Sequence, residues 1–208
     1  MCLPAAERNG LIKTIDRWML AAAMEFGAKY KVGKAFVKLS RQTLSDPALV
    51  KWLAAELPKH GLKPDQLCVQ FPEQEAARHL KSIKPVVDAF HKTGVNFALE
   101  HYGVDKNRMQ ILDLLKPSFI KIDGELMHTL TKDTALQKKV AELTAAASER
   151  DIETIAERVE NANEMAVLFQ LGVNFMQGHY VHEPEVVLED ADTPLALALE
   201  PEPAASAG

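Results

Sequence analysis

Apolar residues recur along the chain in two alternating rhythms. Short stretches that are continuously apolar or alternate with a period of two fall at residues 35–40 (AFVKLS), 66–73 (QLCVQFPE), 95–102 (VNFALEHY), 118–123 (SFIKID), 153–157 (ETIAE) and 173–180 (VNFMQGHY), and predict β-strands. Longer amphipathic segments at residues 11–26, 48–59, 74–92, 107–115, 134–150 and 162–171 predict helices. Strands separated by helices in this way imply parallel strands joined by crossovers, an α/β fold. Sequence identity between the units is negligible, so the repeat is structural.

Six such units fit an open doubly wound sheet or a barrel, and two features favour the barrel. No GxGxxG or GxxxxGK loop follows a strand, so the usual phosphate cradle of an open sheet is missing. Nearly every strand ends in a polar side chain suited to binding: Lys38, Gln70 with Glu73, Glu100 with His101, Lys121 with Asp123, Glu157, and Gln177. Such residues converging from many strands on one mouth define a (β/α) barrel site of the TIM type. Approach to solvent explains any one of them equally well, but not all of them together. The chain of 208 residues is shorter than the roughly 250 of a complete barrel, and its first strong element is a helix. The expectation is an N-terminally truncated barrel lacking one or two strands. An unpaired parallel edge would favour a homodimer.

Composition narrows the partners. A net charge of -5 argues against a general nucleic-acid binder, while leaving room for one anionic small ligand. Cys2 and Cys68 lack CxxC spacing and form no disulfide framework, which fits a cytoplasmic location. The apolar run at residues 18–23 is too short to span a bilayer, and the charges around it do not form a secretory signal. From Asp190 the chain turns rich in Ala, Pro and acidic residues, so the reading divides into an ordered domain over 1–189 and a disordered tail over 190–208.

The stretches AAERNGLIKTIDRWML, VKLSRQTL, FALEHYG, SFIKID, TIAERVENANEMAVLFQLGV and MQGHYVHEP, in this order and spacing, resemble the EAL family of cyclic di-GMP phosphodiesterases over about residues 4–187. The resemblance implies a modified TIM-type barrel, in agreement with the hydrophobic pattern. It also exposes departures. The family's NLS is Lys38-Leu39-Ser40, placing a lysine where a metal-binding asparagine is expected. E-I-T-E is Gln70-Phe71-Pro72-Glu73, with an amide for the leading carboxylate. D-D-F-G is Glu100-His101-Tyr102-Gly103, followed by a charged loop where glycine and serine are usual. K-I-D is retained as Lys121-Ile122-Asp123, A-E-G-V-E is Ala156-Glu157-Arg158-Val159-Glu160, and Q-G-Y is Gln177-Gly178-His179-Tyr180. The EAL tripeptide itself would lie on a strand before this chain starts.

Hydrolysis of a phosphodiester by two divalent ions needs several anionic oxygens holding the ions about 3.5–4 Å apart. Magnesium and manganese favour carboxylate oxygen. An ammonium near such a centre costs several kcal/mol by Coulomb repulsion at an effective dielectric of about 20. The expectation is therefore a domain with no catalytic residues and no metal site that still binds cyclic di-GMP. Lys38 and Lys121 are the candidates for its phosphates, Tyr180, Pro184 and Gln177 for a guanine, and Gln70, Glu100 and Glu157 complete the candidate set. The combination is most similar to the degenerate FimX-like receptor subgroup. That resemblance implies a role in type IV pili and twitching motility through a PilZ-type partner. Behind this reading stand an interaction scaffold that no longer binds nucleotide and, last, a working phosphodiesterase.

Sharper chemistry is disfavoured. His179 and His182 stand three apart on a strand and face opposite sides, so a zinc site with His101 is not expected. Glu100 and His101 as an acid/base pair meet the same objection, because strand neighbours diverge. Asp123 is expected to orient its surroundings, and Glu160 to act as a favourable charge at a helix start.

Overall fold

A computed structural model of the chain describes residues 11–127 and 129–181. Its sheet has six strands in the order β1 to β6, all neighbours parallel. The strands are β1 (Ala35–Lys38), β2 (Leu67–Pro72), β3 (Asn96–Tyr102), β4 (Phe119–Ile122), β5 (Glu153–Ala156) and β6 (Phe175–Met176). The helices are α1 (Ile12–Lys29), α2 (Arg41–Leu44), α3 (Ala48–His60), α4 (Glu73–Thr93), α5 (Arg108–Leu115), α6 (Thr134–Ser148) and α7 (Ala162–Gln170). The sheet curls as part of a TIM-type barrel. Among the described residues β1 and β6 each have one strand neighbour, so these six strands leave the barrel open. The expected tail and Pro184 lie outside the described residues.

Spacing and end signals explain the principal helices. Leu49, Leu53 and Leu57 recur every fourth residue on α3 and are buried, and Gly61 closes the helix at φ 69°. Ile83, Val86, Val87 and Phe90 form the buried stripe of α4, which stops at Gly94 with φ 83°. Among the described α-helices, α2 is the one the hydrophobic pattern does not announce. Ser40 starts it by accepting the Thr43 N–H on its Oγ at 3.3 Å, so the first strand stops two residues earlier than its apolar pattern implies.

The outer face of the sheet, carrying Val69, Phe97, Leu99, Ile120 and Ile122, packs under these helices in one continuous core. Full burial of such side chains stabilises by about 1.5–3 kcal/mol each. No described helix is long and apolar enough to cross a membrane.

The strand β3 departs from regular pairing. Leu99 is opposite Ile120 and Tyr102 opposite Ile122, so three steps on β3 match two on β4. The extra residue is a bulge, and His101 within it has φ 51°. Its effect is to turn Tyr102 to the helix side, where it is fully buried and its hydroxyl donates to Arg108 O at 3.2 Å.

Candidate functional site

The register of the sheet sorts its inner face into two tiers. Phe36 is level with Cys68, Ala98 with Phe119, and Ile155 with Phe175. Phe36, Cys68, Ala98, Phe119 and Ile155 form a small apolar cluster of their own, with Phe36 and Phe175 both ring-to-ring on Phe119. Burial pushes the Cys68 thiol up to about 12, so it remains a neutral filler. Two residues on, toward the carboxyl ends of the strands, every inward position is polar: Lys38, Gln70, Glu100, Lys121, Glu157 and Gln177. Six of the eight expected binding residues thus share one tier at the mouth. The physical reason is the strand period of two, combined with a register that is level within the β1–β2, β3–β4 and β5–β6 pairs and steps by two residues between them, as the tilt of barrel strands requires.

Side-chain contacts tie this tier together. Lys38 Nζ lies 2.9 Å from Glu100 Oε2 across β2. The contact is an ion pair without directed hydrogen-bond geometry, since Glu100 Oε2 has no hydrogen-bond partner. Lys121 Nζ is buried on a strand, 3.5 Å from Glu157 Oε1 and 3.5 Å from Gln177 Oε1, and lies 5.2 Å from the centroid of the Phe36 ring. Burying an ammonium on an aromatic floor requires such partners. Gln70 Oε1 is buried and has no partner. Tyr180 is half-exposed beyond β6, joined to the fold by its N–H donating to Val159 O at 3.2 Å.

The bulge corrects the expectation that Glu100 and His101 diverge. With one extra residue in β3, both reach the mouth, yet they take different partners. Glu100 faces Lys38 on β1, and His101 Nδ1 lies 3.8 Å from Asp123 Oδ2 beyond β4. No acid/base pair forms between them. Asp123 does orient its surroundings, as expected: its Oδ1 accepts the Glu125 N–H at 2.8 Å.

Glu73, an unremarkable polar strand end in the sequence, has a larger role. It opens α4 and is fully buried. Its Oε2 accepts the N–H groups of Gly103, Val104 and Asp105 at 3.2, 2.9 and 2.9 Å, anchoring the loop after the bulge. Burial raises its pKa despite these donors. A carboxylate at a helix start three residues after a polar inward position carries no pattern that identifies it as a loop anchor. Gly103 allows the loop its close approach, with φ 106° and room for no Cβ beside Leu143.

Among the described residues no three His, Cys, Asp or Glu side chains gather as a metal group. The most buried carboxylate of the tier, Glu100, already faces an ammonium, and Gln70 offers a single neutral oxygen.

A parallel (β/α) barrel sheet with its polar tier at the carboxyl ends defines a TIM-type fold with its candidate site at that face. The chain belongs to the EAL domain family, whose model matches residues 2–184. The FimX EAL domain from Pseudomonas aeruginosa, solved bound to c-di-GMP, superposes with a TM-score of 0.83 at 32% identity, covering 88% of this chain and 75% of that one. The FimX EAL domain of Xanthomonas citri in complex with c-diGMP gives 0.80 at 27% identity, covering 86% and 72%. The bifunctional diguanylate cyclase/cyclic di-GMP phosphodiesterase MucR of Pseudomonas aeruginosa is 26% identical over 187 residues, 88% of this chain and 27% of MucR. The chain spans about a quarter of the length of the curated relatives it matches.

Proposed function

We propose that this domain is a cyclic di-GMP receptor that binds the nucleotide without hydrolysing it and without a divalent ion. The observation that carries the reading is the Lys38–Glu100 ion pair at 2.9 Å. It neutralises, with a fixed internal cation, the buried carboxylate that a metal would otherwise use. Positive charge for a phosphodiester is then supplied by side chains, and the Lys121 ammonium stands in the middle of the polar tier. A guanine edge offers two adjacent N–H donors, which suit the carboxylate and amide oxygens of Glu157, Gln70 and Gln177. Similarity to FimX EAL domains solved with c-di-GMP supports the same ligand. In the bacterial cytoplasm such a domain would signal through a partner. Its resemblance to FimX-type receptors favours a PilZ-type protein and control of type IV pili.

Calorimetric titration with cyclic di-GMP, with and without Mg²⁺ or Mn²⁺, tests the proposal. Saturable binding of equal affinity in both conditions is expected, with no linear dinucleotide appearing on chromatography. A linear product formed with Mn²⁺ would overturn the non-catalytic reading. Absence of binding, also in a chain extended at its N-terminus, would leave the interaction scaffold.

A further inference from the structure

Among the described residues, five non-glycine positions have positive φ: Lys31, His101, Lys116, Asp151 and Arg158. Three of them lie at helix ends, where a left-handed residue is ordinary: Lys31 after α1, Lys116 as the cap of α5, and Asp151 after α6. His101 and Arg158 have no helix end to explain them. His101 lies in the bulge near the end of β3, which accounts for its backbone, whereas Arg158 follows β5, beside the end of β4 at the mouth of the barrel. Arg158 alone holds strain at the rim of the site with no helix end or bulge to account for it, and such strain points to function. At φ 58° the position of Arg158 would suit glycine, and the A-E-G-V-E motif of the resemblance has glycine there.

The arginine stem is also held in place. A Cβ on Gly124 would stand 2.6 Å from Arg158 Cδ and 2.8 Å from its Cγ, so the stem lies directly over that glycine, one residue past Asp123. The side chain is exposed and has no ion-pair partner among the described residues. The other cations of the site are engaged, Lys38 by Glu100 and Lys121 by Glu157.

We propose that Arg158 is a ligand-binding residue whose guanidinium, steered over Gly124, takes a phosphodiester oxygen of the bound nucleotide. A guanidinium stays charged at any working pH and forks onto a phosphate with two parallel hydrogen bonds. The inference rests on the receptor reading above and extends it to a residue in which this chain departs from the family motif.

The test is calorimetry of the 208-residue chain with cyclic di-GMP at low and high salt, comparing wild type, Arg158→Gly and Arg158→Gln. Both variants should bind about tenfold or more weakly, a loss of about 1.4 kcal/mol per factor of ten, with a shallower salt dependence. Arg158→Gly should melt at the same temperature or higher, because glycine relieves the left-handed backbone. Wild-type affinity in both variants, with wild type binding, overturns the role of Arg158 alone. A lower melting temperature for Arg158→Gly together with wild-type affinity in Arg158→Gln assigns the stem to packing and also overturns it. No binding by wild type overturns the receptor reading and this inference with it.

Discussion

Replacement of Glu73 separates a structural anchor from a simple buried charge. In Glu73→Ala, the N–H groups of Gly103, Val104 and Asp105 lose their acceptor, and a small cavity opens at the start of α4. A hydrogen bond to a charged acceptor contributes about 1.5–3 kcal/mol, but here three donors share one oxygen, so the total is about 3–4 kcal/mol. For a protein of this size that lowers the melting temperature by about 10 °C. Glu73→Gln should differ sharply. Its amide oxygen can occupy the Oε2 position and accept the same three donors, while its NH₂ replaces Oε1, which has no partner. The cost at neutral pH is then within about 1 kcal/mol. Because burial raises the pKa of Glu73 above its ordinary 4.5, the folded state holds the proton more tightly than the unfolded chain. This group therefore lowers stability as pH rises through the window from 4.5 up to the folded value, and restores it on acidification. Urea unfolding followed by circular dichroism across pH 4–8 measures all three effects. Wild-type stability in Glu73→Ala, equal damage from both substitutions, or the same pH slope in wild type and Glu73→Gln would refute the reasoning.

Other perturbations probe the mouth. Lys38→Met leaves Glu100 buried without its cation and should cost about 2 kcal/mol in urea unfolding, between an exposed and a buried pair because Lys38 is half-exposed; an unchanged midpoint would show the pair to be incidental. Lys121→Met keeps an apolar stem against Phe36 but leaves the partly exposed Glu157 without its cation, so stability should fall by about 1–2 kcal/mol while cyclic di-GMP affinity falls at least about tenfold; full affinity would remove Lys121 from the ligand site. Gly178→Ala would place a Cβ 2.3 Å from the backbone N and O of Val159, forcing the segment after β6 away from β5 at a cost of about 3 kcal/mol; calorimetric melting at the wild-type temperature would contradict that close approach.

Much of the fold was legible because local periodicity and sheet topology agree. Each of the six strand patterns and six longer helix patterns has its element, with bounds moved by a few residues where side chains intervene, as Ser40 does in ending β1 early. The class of site was legible for the same reason. Polar residues at inward positions of successive parallel strands must meet at one end of the sheet, as Lys38, Gln70, Glu100, Lys121, Glu157 and Gln177 do.

Pairings within the site were not legible, since they depend on distances between strands far apart in the chain. That Lys38 reaches across β2 to Glu100 is a consequence of curvature, which no periodicity records. The bulge at His101 is a second such case: strict alternation sends Glu100 and His101 to opposite faces, and a single left-handed residue overrides it. Glu73 is the third, because its role lies in three backbone donors supplied by a loop some thirty residues later. Taken by itself, the sequence determined the order of the elements, the tier of polar strand ends and the departures from the family motifs, because these follow from local spacing and residue chemistry. Which charge neutralises which, and where the backbone accepts strain, depends on the folded arrangement, because Coulomb and hydrogen-bond partners are chosen by proximity in space.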